Sequence, residues 1–341
     1  MKSKKINYRL SLIAAVAASV VLAACGGGDG GGSNSTGSNS GTGGNGNSGG
    51  STPPAQTPTS GNVNSPTYSA GSMELAAFTL LNQQRQACGF PALTENTTLD
   101  QAAKAHVQYL ATNNAVVDEE VSGNQGFTGV TYADRATHFG YPSSSVLVTG
   151  VSAGYYTNAT LTDAQYGEQL VYQWLSGVYH IAVAAWPITT VGVGMNKITF
   201  NGFPQVQGSL TIANLQPMTT SGPLTFPCQG TTGVAYKAGG ESPTPPGTSG
   251  PWGTPVAVAG NPADTIVMQS GTMTDTSGNV ISLKVLDSAT DPNKLLPKFE
   301  GVAYPVAPLS PNTSYSVVLT GTYNGTPFTR TFSFTTGTVT G

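Results

Sequence analysis

The residues best suited to chemistry are one imidazole and one acidic run. His180, one of three histidines in 341 residues, follows the aromatic stretch YGEQLVYQWLSGVYH. An imidazole titrates near neutral pH and can act as general base or metal ligand. Asp118, Glu119 and Glu120 form the densest acidic run in the chain. His180, Asp118 and one of Glu119 or Glu120 would make the three protein ligands of a catalytic zinc. No recognisable ligand spacing supports that set, so no metal or other cofactor is expected, and a divalent ion is the alternative. Gly150-Val-Ser152-Ala-Gly154 fits the nucleophile-elbow pattern G-x-S-x-G, with Asp163 and His180 downstream. That elbow needs a helix directly after the serine, and YYTNAT is not one. The pattern also arises easily by chance in a chain with 44 Gly.

Particular elements must position these groups. Tyr166, Leu170, Gln173, Trp174 and Gly177 share one helical face. Thr162 with Gln165 three residues on is a capping box that starts the helix. Gly177 is placed to end it in the left-handed conformation. HIAVAAW is then stopped by Pro187, and TTVGVGM reads as a buried strand. KITFNGF and QVQGSLTIANL alternate as strands around an Asn201-Gly202 turn. Upstream, Met73 to Cys88 is helical in composition, with Leu75, Phe78, Leu81 and Arg85 along it. A second helix from Thr98 to about Asn113, with Thr98 and Gln101 as its capping box, places Leu99, Ala103, His106 and Leu110 on one face. His106 therefore reads as a core histidine, Arg135 as a partner of backbone or carboxylate, and His138 as an exposed helix residue.

These segments resemble the CAP superfamily, the SCP domain of cysteine-rich secretory and pathogenesis-related proteins. The likeness spans roughly Met73 to Gln216. It is carried by FTLLNQQRQACGFPAL, by GFTGVTYADRATHFGYP, and by Trp174 with His180 in W-x-x-S/G-x-x-H before V-G-V-G. The resemblance implies an α/β chain whose CAP-like domain is an α-β-α sandwich around a short, mostly antiparallel sheet. In family members with the full cavity, two histidines and two glutamates meet in a cleft. Here His180 holds one of those positions, Asp118 stands for the other histidine, and Gly150 and Gly177 stand where glutamates are expected. The implied function is a non-catalytic binding module with a degenerate cavity, lined by Asp118, Glu120, Tyr155, Tyr156, Trp174, Tyr179 and His180. Its ligand would be a small apolar lipid or a glycan. A metal- or histidine-dependent hydrolase of cell-envelope material and a structural or adhesive envelope protein are the alternatives.

Composition sets the compartment. Lys2, Lys4, Lys5 and Arg9 precede LSLIAAVAASVVLAA, the layout of an export signal. Leu22-Ala23-Ala24-Cys25 resembles a bacterial lipobox, which implies a lipidated Cys25 and an outer-membrane lipoprotein, periplasmic or at the cell surface. Secretion is the alternative. Loss of the four basic residues leaves nine against 16 acidic ones, a net of −7, which argues against a nucleic-acid partner. Residues 26–70 read as a Gly/Ser/Asn tether, 71–232 as the CAP-like domain, and 233–253 as a Pro/Gly linker. Residues 254–341 alternate as short strands between turns. Leu309-Ser-Pro311-Asn-Thr313-Ser-Tyr315 resembles the tyrosine corner of Ig-like sandwiches, so a small all-β Ig-like domain is expected there. With Cys25 lipidated, Cys88 and Cys228 form an even pair in an oxidising compartment, where a disulfide is the default.

Overall fold

The computed structural model describes residues 59–220 and 222–341. The export signal, Cys25 and residues 26–58 of the expected tether lie outside the described residues. The described residues form one compact unit.

Helix α1 (Met73–Ala87) is capped by Ser72, which accepts from the Leu75 N–H. Its Arg85 is fully buried and donates to the carbonyls of Pro91, Val183, Ala184, Trp186 and Ile188. One guanidinium thus gathers five carbonyls from separate segments and ties α1 to the chain beyond His180. Burial lowers the Arg85 pKa to about 9. Strand β1 (Thr94–Glu95) precedes α2 (Thr97–Asn113), whose N-cap is Asn96 and not the Thr98 that the capping pattern suggests. The Asn96 carbonyl oxygen Oδ1 accepts from Thr98 and Leu99 N–H, so a side chain already upstream occupies that role.

Helix α3 (Tyr132–His138), β2 (Val148–Tyr156), α4 (Asp163–Ser176), the short α5 (Ala182–Ala185), β3 (Ile188–Phe200) and β4 (Phe203–Leu215) follow. The sheet runs β1-β3-β4-β2, parallel only between β1 and β3. Asn201 and Gly202 join β3 to β4 with φ of 50° and 83°, the positive values a two-residue hairpin turn requires. Glycines let the helices approach the strands. A Cβ on Gly192 would lie 2.1 Å from the Leu99 backbone in α2, and one on Gly208 would lie 2.7 Å from Leu170 in α4.

Two further sheets hold the rest. One orders β10 (Lys284–Asp287), β11 (Glu300–Tyr304), β7 (Val256–Ala259) and β5 (Leu224–Phe226). The other orders β6 (Thr232–Val234), β13 (Thr326–Thr336), β12 (Ser314–Tyr323), β8 (Ile266–Asp275) and β9 (Val280–Ser282). Ser310 N–H donates to the Tyr315 hydroxyl oxygen at 2.8 Å, pinning the Leu309–Tyr315 corner.

Two boundaries differ from expectation. Strands β5 and β6, which precede most of the 233–253 stretch, pair with β7 and β13. That stretch is therefore stitched at both ends, and its Val234, Ala238 and Trp252 are buried. The end of the tether is also packed. Thr67 bonds to the buried Glu95 carboxylate through its N–H and hydroxyl, and the Tyr68 hydroxyl donates to Asp100 at 2.7 Å. Cys88 and Cys228 form a disulfide, joining the end of α1 to the loop between β5 and β6.

Candidate functional site

Helix α4 begins with the Thr162–Gln165 capping box, as the sequence indicates, and ends at Gly177. Gly177 is not left-handed, however; its φ is −75° and its ψ 141°. The glycine serves close approach instead. A Cβ there would lie 2.7 Å from Glu241 Oε1 and 2.9 Å from His180 Cβ.

Glu241 is the residue that organises this site. Its carboxylate accepts the N–H groups of Val178 at 2.7 Å, Tyr179 at 2.9 Å and His180 at 3.0 Å. It also meets His180 Nδ1 at 2.6 Å. The Glu241 side chain is 3% exposed and that of His180 16%. Burial disfavours the charged ring, yet the hydrogen bond and charge of Glu241, the Asp118 carboxylate and the Ser152 carbonyl together raise the His180 pKa. These partners favour the imidazolium over the neutral ring.

Asp118 faces the edge strand β2. Its Oδ1 accepts from the Tyr132 hydroxyl at 2.7 Å and from Ser152 N–H at 2.9 Å. The Ser152 Oγ is buried against the hydroxyls of Tyr132, at 2.7 Å, and Ser209, at 3.3 Å. Ser152 therefore lies inside a strand with its hydroxyl in a polar chain, and no nucleophile elbow forms. Gly150 leaves room for the Tyr132 ring, which a Cβ would approach to 2.4 Å.

Glu120 lies in a separate buried cluster. It meets His106 Nδ1 at 3.0 Å and accepts from Thr128 N–H at 2.7 Å, with Arg135 Nε 3.9 Å away. Burial alone would raise its pKa, but the His106 bond, the Thr128 N–H and the Arg135 charge lower it. His106 is fully buried, and its Nε2 meets the Val117 carbonyl at 2.9 Å. Arg135 donates to the carbonyls of Gly129, Val130 and Asp118 and lies 4.3 Å from the Tyr132 ring centroid. His138 is exposed.

The expected aromatic lining is dispersed. Trp174 is wholly buried in the core between α4 and the sheet. Tyr179 donates to Asp291 at 2.8 Å and accepts from Asn293 at 2.7 Å, so it faces the β-rich part of the chain. Tyr155 donates to the Tyr166 carbonyl, and Tyr156 is 69% exposed. Only His180 and Asp118 stay close enough for their charges to interact. Among the described residues, no group of three or more His, Cys, Asp or Glu is arranged to hold a metal.

Sequence reasoning missed Glu241, Trp252 and Glu300. Trp252 Nε1 donates to the Ser176 carbonyl at 3.0 Å, and Trp186 Nε1 to Glu300 at 2.7 Å. Burial raises the Glu300 carboxyl to about 8. The one available signal was Glu241 itself, a lone acid in the charge-poor stretch AGGESPTPPG.

Residues 78–206 match the family model for CAP, the cysteine-rich secretory protein family. The match runs from within α1 into β4 and so contains Asp118, Glu120 and His180, while Glu241 lies beyond it. No curated protein matches the chain. Among solved structures, an outer surface protein from Borrelia burgdorferi is similar at 14% identity and a TM-score of 0.30, covering 41% of this chain and 91% of its own.

Proposed function

We propose that this protein is an exported, surface-located CAP-family module that recognises or holds a partner and does not hydrolyse one. The carrying observation is the His180–Glu241 pair. A general base or zinc ligand needs a neutral imidazole nitrogen with its lone pair free. A carboxylate on Nδ1 by itself would leave Nε2 available, as in a catalytic triad; here the ring also bonds to the Ser152 carbonyl, and its surroundings favour the protonated form. Export follows from the N-terminal basic and apolar segments and agrees with the secretory description of the matched family. Lipidation at Cys25 would fix the chain to the outer membrane; release after cleavage is the alternative.

The finer architecture fits this reading. Gly194 pairs with Ser209 and Met195 with Gly208, and neighbouring residues on a strand point to opposite faces. Helix α2, against Gly194, and α4, against Gly208, then take opposite faces of the sheet in an α-β-α order. The β-rich part, with its pinned tyrosine corner, acts as an Ig-like spacer fused to that layer stack.

The test is elemental analysis of purified protein, with hydrolysis of p-nitrophenyl acetate and of peptidoglycan, for the native chain and His180→Ala. The expected result is no stoichiometric zinc and no turnover above the variant's background. Turnover that disappears in a folded His180→Ala protein would establish a hydrolase instead.

A further inference from the structure

Among the more exposed large apolar side chains, Tyr156, Phe200 and Phe203, at 69%, 37% and 46%, gather at one end of the first sheet. Strand register puts them on one face. Phe200 pairs with Phe203 across the hairpin, and Gln205 pairs with both Tyr156 and Ile198. Directly paired residues, and residues two apart, share a face. The Tyr156 and Phe200 rings are 6.4 Å apart and inclined at 50°.

No charged residue occurs in 154–162 or 198–206, which form this end of the sheet and its approaches; Lys197, next to them, pairs with Asp163 and alternates to the other face. An electrostatic partner, such as nucleic acid or an anionic lipid headgroup, has nothing here to grip. The face does hold idle amides. Gln205 Oε1 is buried without a hydrogen-bond partner. Two residues along on the same face, Gln207 is fully buried; its Nε2 donates to the Ala115 carbonyl at 3.0 Å, and its Oε1 has no partner. An unsatisfied buried acceptor is costly, and at Gln205 a partner rich in hydroxyl donors removes that cost. Gln205 is only partly buried, so rotation of its amide presents the carbonyl outward.

We propose that Tyr156, Phe200 and Phe203, with Gln205 beside them, form a binding surface for a neutral oligosaccharide. Sugar rings offer apolar C–H faces to the aromatic side chains and hydroxyl protons to the amide carbonyl. A bilayer interface would use the rings and leave the amides as they are. The N-terminal segment also enters at the other end of the sheet. The Thr59 carbonyl accepts from Tyr141 and from Thr190 near the start of β3, whereas Phe200 is its last residue. At the usual rise per strand residue those ends are about 33 Å apart.

The proposal deepens the recognition reading by giving it a ligand class and a location. Calorimetric titration of the full chain with maltohexaose, cellohexaose and chitohexaose tests it, alongside vesicles of phosphatidylcholine with phosphatidylglycerol. One of these sugars should bind. Tyr156→Ala and Phe203→Ala should each weaken binding roughly tenfold or more with unchanged thermal midpoints, and Gln205→Ala should weaken it less. His180→Ala should leave sugar binding intact, so this proposal and the non-hydrolytic reading can fail separately. Absence of binding to every sugar would overturn it, as would binding indifferent to the ring substitutions. Vesicle association lost in the ring variants would assign the surface to lipid.

Discussion

Glu241 provides the acceptors that the turn at Gly177–His180 lacks locally. Removing it leaves three backbone N–H groups and an imidazolium without their partner. Breaking a buried pair by deleting one member costs about 3–5 kcal/mol. Glu241→Ala should therefore lower unfolding stability by about 3 kcal/mol or more, read by urea denaturation, and a loss under about 1 kcal/mol would show the contact to be superficial. Gly177→Ala should cost about 2–3 kcal/mol for the same reason, because its Cβ collides with Glu241 and His180 rather than straining the backbone. The sequence showed that residue 177 is small but not why. The side chain that fills the gap lies 64 positions away, in a stretch without periodicity.

Charge state belongs to the same scale. The His180 pKa is raised from 6.5, so the stability it contributes is fully present below 6.5 and is lost as pH rises through the raised value. Glu300 is raised from 4.5 to about 8, so its contribution is full below 4.5 and disappears as pH climbs to about 8. Both shifts act in one direction, and the melting temperature should fall from about pH 6 to pH 9. Glu300→Gln should flatten that alkaline decline. An unchanged slope in the variant would remove Glu300 from the account.

At the scale of elements, long periodic segments were legible and short ones were not. Helix α4 and its capping box, the β3–β4 hairpin with its Asn201-Gly202 turn, and the buried face of α2 all follow from local pattern. Strands β5 and β6 have three residues each, too few to show alternation, and their partners lie far along the chain. The packed Thr67 and Tyr68 were hidden by a Gly/Ser/Thr-rich neighbourhood. Cys88 and Cys228 were legible as a pair by number, with Cys88 at the end of the first helix; the short strands β5 and β6 on either side of Cys228 were not. The Cys88–Cys228 bridge closes a loop with a sequence separation of 140, for which the chain-entropy relation gives about 4–5 kcal/mol. Cys88→Ser with Cys228→Ser should lower stability by several kcal/mol, read by guanidinium denaturation, and a loss below about 1 kcal/mol would contradict that value.

At the scale of the molecule, the CAP-matching part and the β-rich part share one hydrophobic cluster, in which Trp174 and Val183 appear together with Trp252, Ala257 and Val302. Glu241, Trp252, Asp291 and Glu300 all bond from the later part of the chain to the turn and short helix around His180. A cleft reading drawn from the first part alone could not see this cover. One cooperative unfolding transition is expected for residues 59–341, with calorimetric and van't Hoff enthalpies in agreement. Two separated transitions would mean that the parts fold independently.

Glu241 favours the charged His180 ring and so withholds it from reaction. NMR titration of the His180 ring protons in the native chain and in Glu241→Gln tests it most directly. A native midpoint above 6.5 that drops in the variant is the predicted result. A native midpoint at or below 6.5, or one indifferent to the substitution, would contradict it.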